Sequence, residues 1–390
     1  MWTLLLWLQS ALAEPLCEPV EEHQELEVYL LTSGPGDGVY TKIGHSALWV
    51  SGGGKRETVF NWGAYDASQD NFLWHFFMGS AEYKLTMMSR PYNLKRVKEN
   101  NQSLIAQHLD ISPNMKLQLA AELARLARPE NHTYTYHWET QNCATLIRDL
   151  INEVTDEGLS SLPPLEDVTT RRFEVLRHLE SSWWAWFGWH YMGSDYGDRV
   201  YDRWSKMHIP QSLSEGVAQA SIQWEGENVP RPLVDKTCVL NQGDSVSSEP
   251  PQRGLLLWGL GLIIAVLGWW SRDKPKPYRV PTCLFFMFSG GLSTFFIVCW
   301  LFCSLEGYGF NENWFFSNPL HFLVAWRIWQ GKTSKPLKHL LGVLLVGGIG
   351  WKFIDSTPQQ NLDIIGLFLL PTLIYLFAQS PSANDHHTEN

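Results

Sequence analysis

The final third of the chain is a row of apolar stretches joined by short polar loops. Such stretches have few folded solutions, because a segment that reaches bilayer depth must satisfy its backbone internally and so becomes a helix. After a linker rich in Pro, Ser and Gln at residues 241–253, five of them run roughly from Gly254 to Trp270, Pro281 to Cys303, Trp314 to Trp329, Leu340 to Phe353 and Leu362 to Ala378. Several are short against the ~20 residues a membrane helix needs, which predicts tilted helices or a locally thin bilayer. Arg272, Lys274, Lys276 and Arg279 follow the first stretch and Lys332, Lys335 and Lys338 the third, whereas Glu306, Asn311, Glu312 and residues 355–361 occupy the alternate loops. The basic loops belong inside, so residues 14–253 are expected outside the membrane and the tail 380–390 inside. The expectation is an all-α membrane domain of about five transmembrane helices over residues 254–379.

The remainder reads differently. The chain is 45% hydrophobic with 20 tryptophans, yet its mean hydropathy is slightly negative, so the apolar residues are concentrated and the first 240 residues are water-soluble in character. Net charge is −10, with no basic block in the first two-thirds. A nucleic-acid partner has nothing to hold there, and that class is excluded. Residues 1–13 are an apolar run through Leu4, Leu5, Leu6, Trp7 and Leu8 that ends Ala11-Leu12-Ala13, the small-x-small form of a signal-peptidase site, although the segment carries no Lys or Arg. Residues 1–13 are thus expected to be a signal peptide, and residues 14–240 an exported domain.

Export gives the six cysteines a meaning. Cys283, Cys299 and Cys303 lie in apolar stretches, which leaves Cys17, Cys143 and Cys238 in the hydrophilic part. An odd count in an oxidising compartment leaves one thiol free. Cys17 and Cys238 stand near the two ends of the exported region, and domain ends are often close, so they are the expected disulfide and Cys143 the expected free thiol.

Along the exported region, Leu26 to Leu31 reads as a strand, followed by the turn Ser33-Gly34-Pro35-Gly36-Asp37-Gly38. Gly44 to Val50 is a second strand, with Ser46, Leu48 and Val50 on one face and His45, Ala47 and Trp49 on the other. Ser51-Gly52-Gly53-Gly54 then turns the chain into a third strand, Thr58 to Gly63, so that His45 and Asn61 become cross-strand neighbours. Ser112-Pro113 opens a helix through Leu117, Leu119, Leu123 and Leu126. Strands early with helices around them make the domain α+β. Between Ser181 and Pro210, Trp183, Trp184, Trp186, Phe187, Trp189 and Tyr191 crowd together. They fit either a core helix of this same domain or a belt at a membrane surface, where indole keeps its N–H wet.

The chemistry centres on Tyr134 to Ile151. An alternating aromatic run breaks at Thr140-Gln141-Asn142 and restarts at helical period as Cys143-Ala144-Thr145-Leu146-Ile147-Arg148-Asp149-Leu150-Ile151, a strand, turn and helix. Asn142 is a good N-cap. Cys143 then falls in the first helical turn, where free backbone N–H groups and the helix dipole favour a thiolate. A cysteine nucleophile also needs a base, a group that fixes the base's tautomer, and donors for an oxyanion. His45 and Asn61 supply the first two, and the amide of Cys143 is one candidate donor. The histidines show neither HExxH nor paired i, i+4 spacing, so no metal or other cofactor is expected.

The order of a His strand, a second strand with a polar residue, and Asn-Cys opening a helix resembles circularly permuted NlpC/papain-like folds, including the lecithin:retinol acyltransferase family. More specifically, Leu30-Leu31-Thr32-Ser33-Gly34-Pro35-Gly36-Asp37, Gly44-His45-Ser46-Ala47-Leu48, Phe60-Asn61-Trp62-Gly63, Asn142-Cys143-Ala144-Thr145-Leu146-Ile147-Arg148-Asp149 and Trp314-Phe315-Phe316-Ser317-Asn318-Pro319-Leu320 resemble the Lnb N-terminal periplasmic domain family with its membrane region, which includes bacterial lipoprotein N-acyltransferases. The resemblance implies a ping-pong acyl transfer with Cys143 as nucleophile, His45 as base and then acid, and Asn61 as the orienting group. The acyl donor would be a phospholipid and the acceptor the α-amine of a diacylglyceryl-cysteine lipoprotein, at the periplasmic face of a bacterial inner membrane. Asn142, Tyr40 and Arg148 are further candidates for contact with substrate or oxyanion, although Arg148 and Asp149 also make sense as a surface ion pair. Two other functions stay open: a cysteine peptidase or amidase acting on cell-wall peptide, and a non-catalytic receptor or assembly module in which His45 and Cys143 are core residues.

Overall fold

The structure, a computed structural model, describes residues 25–66, 68 and 70–378. The expected signal segment 1–13, Cys17 and the tail 380–390 lie outside the described residues. In chain order the elements are β1 (Glu27–Ser33), β2 (His45–Gly52), β3 (Lys55–Ala64), α1 (Phe72–Phe77), β4 (Glu82–Met88), α2 (Arg90–Glu99), β5 (Leu104–Leu109), α3 (Pro113–Leu126), β6 (Thr133–Thr135), α4 (Cys143–Val154), α5 (Arg171–His178), α6 (Trp183–Met192), α7 (Arg203–Lys206), α8 (Pro210–Gln219), β7 (Ser221–Ile222), β8 (Arg231–Pro232) and β9 (Val234–Asn241). Six further helices follow: α9 (Gly254–Ser271), α10 (Lys276–Phe302), α11 (Asn313–Phe316), α12 (Leu320–Gln330), α13 (Lys335–Ile354) and α14 (Leu362–Phe377), where the four residues of α11 are a single turn leading into α12.

Two compact units emerge. The first holds residues 25–76, 80–168 and 201–247; the second holds 77–79, 169–200 and 248–378. The first is α+β. Seven of its nine described strands form one antiparallel sheet in the order β6-β4-β3-β2-β1-β5-β9, and β7 pairs with β8.

Alternation along the strands divides the apolar side chains between the two faces of this sheet. On one face Val28, Leu30, Leu48, Trp62 and Leu85 pack with Met115, Leu119 and Leu123 of α3 and with Ala144, Ile147 and Ile151 of α4. On the other, Tyr29, Leu31, Ala47, Trp49 and Val59 pack with Val97 of α2. Fully burying a side chain such as Leu30 or Leu48 contributes about 1.5–3 kcal/mol, and both are wholly buried. The α3 helix starts as its sequence predicts: Ser112 Oγ accepts from the N–H of Met115 at 3.3 Å, and Pro113 occupies the first turn.

In the second unit α9, α10 and α13 are long and apolar enough to cross a membrane, at 18, 27 and 20 residues. The other two expected spans are shorter. Helix α14 has 16 residues. The stretch from Trp314 to Trp329 is broken into α11 and α12, because Pro319 has no N–H to donate and the Asn318 carbonyl oxygen of the side chain caps Leu320 N at 3.2 Å.

Of the polar residues in the alternate loops, Asn311, Glu312, Gln359 and Asn361 are buried. Glu312, 1% exposed, pairs with Lys352 and accepts from the N–H of Gln359 at 3.0 Å. Asn361 donates to Asn313 at 2.7 Å, and Asn313 donates to the Tyr191 carbonyl at 2.8 Å.

The expected exported domain 14–240 is also interrupted, since residues 169–200 group with the apolar helices. The tryptophan-rich helix α6 therefore belongs to the second unit and not to the α+β unit. On α6, Trp186, His190 and Tyr191 are buried within the second unit while Trp183 and Trp184 are exposed. His190 is held by Asp363 at 2.8 Å.

Candidate active site

The local sequence explains how α4 starts where it does. Asn142 adopts an extended conformation and its Oδ1 accepts from the N–H groups of both Ala144 and Thr145 at 2.9 Å. Thr145 Oγ1 returns the favour to the N–H of Asn142 at 2.8 Å, completing a capping box. Asn142 Nδ2 in turn donates to the carbonyls of Trp138 at 2.8 Å and His208 at 3.0 Å. Every hydrogen-bonding group of Asn142 is thus engaged within the protein. The cap leaves the N–H of Cys143, the first helical residue, as a donor for a ligand.

His45 opens β2 directly after a strained glycine. Gly44 has φ +85°, and a Cβ there would lie 2.5 Å from the carbonyl oxygen of Ser33, so only glycine fits. Ala47 stands opposite Asn61 in the sheet, which puts Asn61 diagonally across from His45. The prediction of cross-strand neighbours is met in this diagonal form: His45 Nε2 lies 3.2 Å from Asn61 Oδ1. Gly63 (φ +111°) sits where the register of β3 shifts, and a side chain there would come to 3.8 Å from the imidazole Cε1.

Cys143 and His45 hydrogen-bond to each other through their side chains, and the N–H groups of Ser46 and Ala144 also point at the sulfur. Burial pushes the Cys143 thiol up, but the His45 charge and these donors together outweigh it, so the thiol is held below its ordinary range. His45 mirrors this. Burial works against its charged form, and the Cys143 thiolate with the Asn61 hydrogen bond carries it above the usual imidazole value. Each shift favours the charged form of its group, thiolate on Cys143 and imidazolium on His45. Both side chains keep part of their surface open to solvent.

The other candidates fall elsewhere. Arg148 is buried, lies over the Trp204 ring at 3.9 Å, and spends its guanidinium on the Trp204 carbonyl at 2.9 Å and on Asp149 at 2.9 Å. The expected pair with Asp149 forms, though the arginine is a strut inside the domain and not a surface charge. Tyr40 is 73% exposed, meets Tyr65 edge-on at 6.3 Å, and makes no described hydrogen bond to His45, Asn61 or Cys143. Cys238 is disulfide-bonded, Cys143 is free, and the expected partner Cys17 lies outside the described residues. Among the described residues no group of three His, Cys, Asp or Glu side chains is placed to hold a metal ion.

Sequence reasoning missed Tyr134. Its hydroxyl is buried with no hydrogen-bond partner, and its phenol feels the charge of Cys143. The signal was present in the alternation Thr133-Tyr134-Thr135, which turns this one ring inward.

No curated protein and no solved structure matches the chain. A family model does: residues 22–174 match it across the His45 strand, the Asn61 strand and the Cys143 helix. That model is described as the Lnb N-terminal periplasmic domain, and residues 22–174 are similar to it.

Proposed function

We propose that the protein is a lipoprotein N-acyltransferase of the inner membrane that works through a thioester on Cys143. The observation that carries this reading is the Cys143–His45–Asn61 geometry inside a segment similar to the Lnb periplasmic family. That similarity supports lipoprotein maturation, and the three apolar helices support a membrane location.

In the first half-reaction the Cys143 sulfur, its proton already held by His45, attacks the carbonyl carbon of a phospholipid ester. The carbonyl π pair moves onto oxygen and then returns, breaking the carbon–oxygen bond. His45 passes its proton to the departing glycerol oxygen, and a lysophospholipid leaves. In the second half-reaction the α-amine of a diacylated lipoprotein attacks the thioester carbon, His45 takes the amine proton, and the carbon–sulfur bond breaks to give an amide and the free thiolate. Asn61 Oδ1 can only accept, so it selects the tautomer with hydrogen on Nε2 and leaves Nδ1 to face the sulfur. Both substrates are lipid-anchored, and sharing one bilayer with the enzyme raises their effective concentration.

Intact-mass measurement of the purified protein after exposure to phospholipid tests this. An added acyl mass that maps to Cys143 and is discharged by a diacylated lipopeptide is the expected result. Release of free peptide from a cell-wall fragment with no acyl adduct would favour the peptidase reading instead.

A further inference from the structure

An acyl transfer at Cys143 creates a negative oxygen that needs more than one donor, and the cap of α4 has only the Cys143 N–H to offer. Asn142 does not help, since both of its amide hydrogens go to the Trp138 and His208 carbonyls. Resting on the acyl-transfer reading, we infer that the Tyr134 hydroxyl is the second oxyanion donor, hydrogen-bonding the carbonyl oxygen of the acyl group while it is bonded to Cys143.

Three observations converge on that hydroxyl. The first is its isolation: Tyr134 Oη is buried and has no hydrogen-bond partner. A tyrosine used only for packing would be better as phenylalanine, so a buried hydroxyl left without a partner calls for a ligand. The second is its placement. Thr133 and Thr135 are exposed while Tyr134 turns inward. Tyr134 stands opposite Tyr83 with ring centroids 6.3 Å apart, and Tyr83 stacks on Tyr136 at 4.4 Å, so the ring is held before substrate arrives. The third is the path of the chain. His137 and Gln141 exchange backbone hydrogen bonds of 3.0 Å in both directions, doubling the chain back between Tyr134 and Cys143. Tyr134 and Cys143 then pack on the same apolar cluster.

The neighbouring charge is consistent with this role. Burial first, and then the Cys143 thiolate, keep the phenol protonated, so it acts as a donor. It keeps its proton throughout. The sulfur lone pair forms the carbon–sulfur bond, the carbonyl π pair rests on oxygen opposite Tyr134 and the Cys143 N–H, and collapse expels the glycerol oxygen with the proton from His45.

The test uses the full-length protein in phospholipid–detergent micelles and compares the wild type with Tyr134→Phe. Rapid-quench intact mass reads the rate at which the acyl group appears on Cys143. The expected result is a fall of about 10²-fold, with an unchanged or higher melting temperature and an unchanged pH profile for alkylation of Cys143 by iodoacetamide. Acylation of the variant at the wild-type rate would overturn the donor role while leaving the acyl-transfer reading intact. A slower variant whose alkylation profile shifts as well would also overturn it, because the hydroxyl would then be acting on the thiol. No acyl adduct on the wild type would remove the acyl-transfer reading and this inference together.

Discussion

Asn61 holds His45 from the strand beside it, with Oδ1 at 3.2 Å from Nε2 and its own Nδ2 committed to the Val59 carbonyl at 3.3 Å. That second bond fixes which end of the amide faces the imidazole. Replacing the base, His45→Ala, should slow acyl transfer by about 10²–10⁴-fold. Asn61→Ala should cost less, because it loosens the tautomer and ring orientation without removing the base. A steady-state assay on both variants checks the order, and equal losses would mean that Asn61 does more than orient.

Cys143→Ala should abolish thioester formation and leave the melting temperature of the α+β unit near its original value, since Cys143 is free and half-buried. Cys143→Ser should be nearly as inactive, because a hydroxyl is far harder to ionise than a thiol. Turnover by either variant, read from the N-terminal mass of a lipopeptide acceptor, would refute the nucleophile.

The pH dependence of Cys143 reactivity has a definite sign. Its thiol is held below the ordinary 9.0 and the His45 imidazole above the ordinary 6.5. A lowered acid loses its proton earlier and a raised base keeps its proton later, so both shifts favour the thiolate–imidazolium form. Iodoacetamide should therefore alkylate Cys143 at a lower pH than an unperturbed thiol. In His45→Ala the attraction is gone while the desolvation remains, so the midpoint should move up to or beyond the ordinary value. An unmoved midpoint would show that the two side chains do not share a proton.

Gly44→Ala should be costly twice over, through the φ of +85° and through a Cβ 2.5 Å from the Ser33 carbonyl. Gly54 offers the matching control, with φ +72° and open space around its would-be Cβ. Backbone strain alone is about 1–2 kcal/mol, so Gly54→Ala should lower the melting temperature modestly, and Gly44→Ala should lower it further and reduce turnover by moving His45. Calorimetry beside the acylation assay separates the two effects.

Asn142→Ala removes a cap worth about 0.5–2 kcal/mol together with the links to the Trp138 and His208 carbonyls. Asn142→Asp keeps the Oδ acceptor and loses only the donors, so it should retain more stability than the alanine variant. A chemical denaturation series orders the three proteins. Peptide mapping without reduction should in turn find Cys143 alkylatable and Cys238 bridged, with Cys17 the expected partner.

Local patterns in the sequence determined a good deal about this protein. The cap at Asn142, the thiol one residue later and the alternation through His45, Ala47 and Trp49 follow from short-range sterics and hydrogen bonding, which the sequence states directly. The apolar character of α9, α10 and α13 is likewise local, being composition over a window.

What needed the tertiary structure was whatever depends on residues distant along the chain. Alternation predicts that His45 and Asn61 share a sheet face, but their diagonal placement comes from the β2–β3 register, which sets Ala47 opposite Asn61. Hydropathy joined Trp314 to Trp329 as one span, whereas the polar residues Asn311, Glu312, Asn313 and Ser317 find buried partners on α6, α10, α13 and the 355–361 loop. The assignment of residues 169–200 to the apolar unit, and the unpartnered hydroxyl of Tyr134 near Cys143, were decided the same way. A side chain's burial and its hydrogen-bond partners are set by what packs against it, and packing is a property of the whole fold.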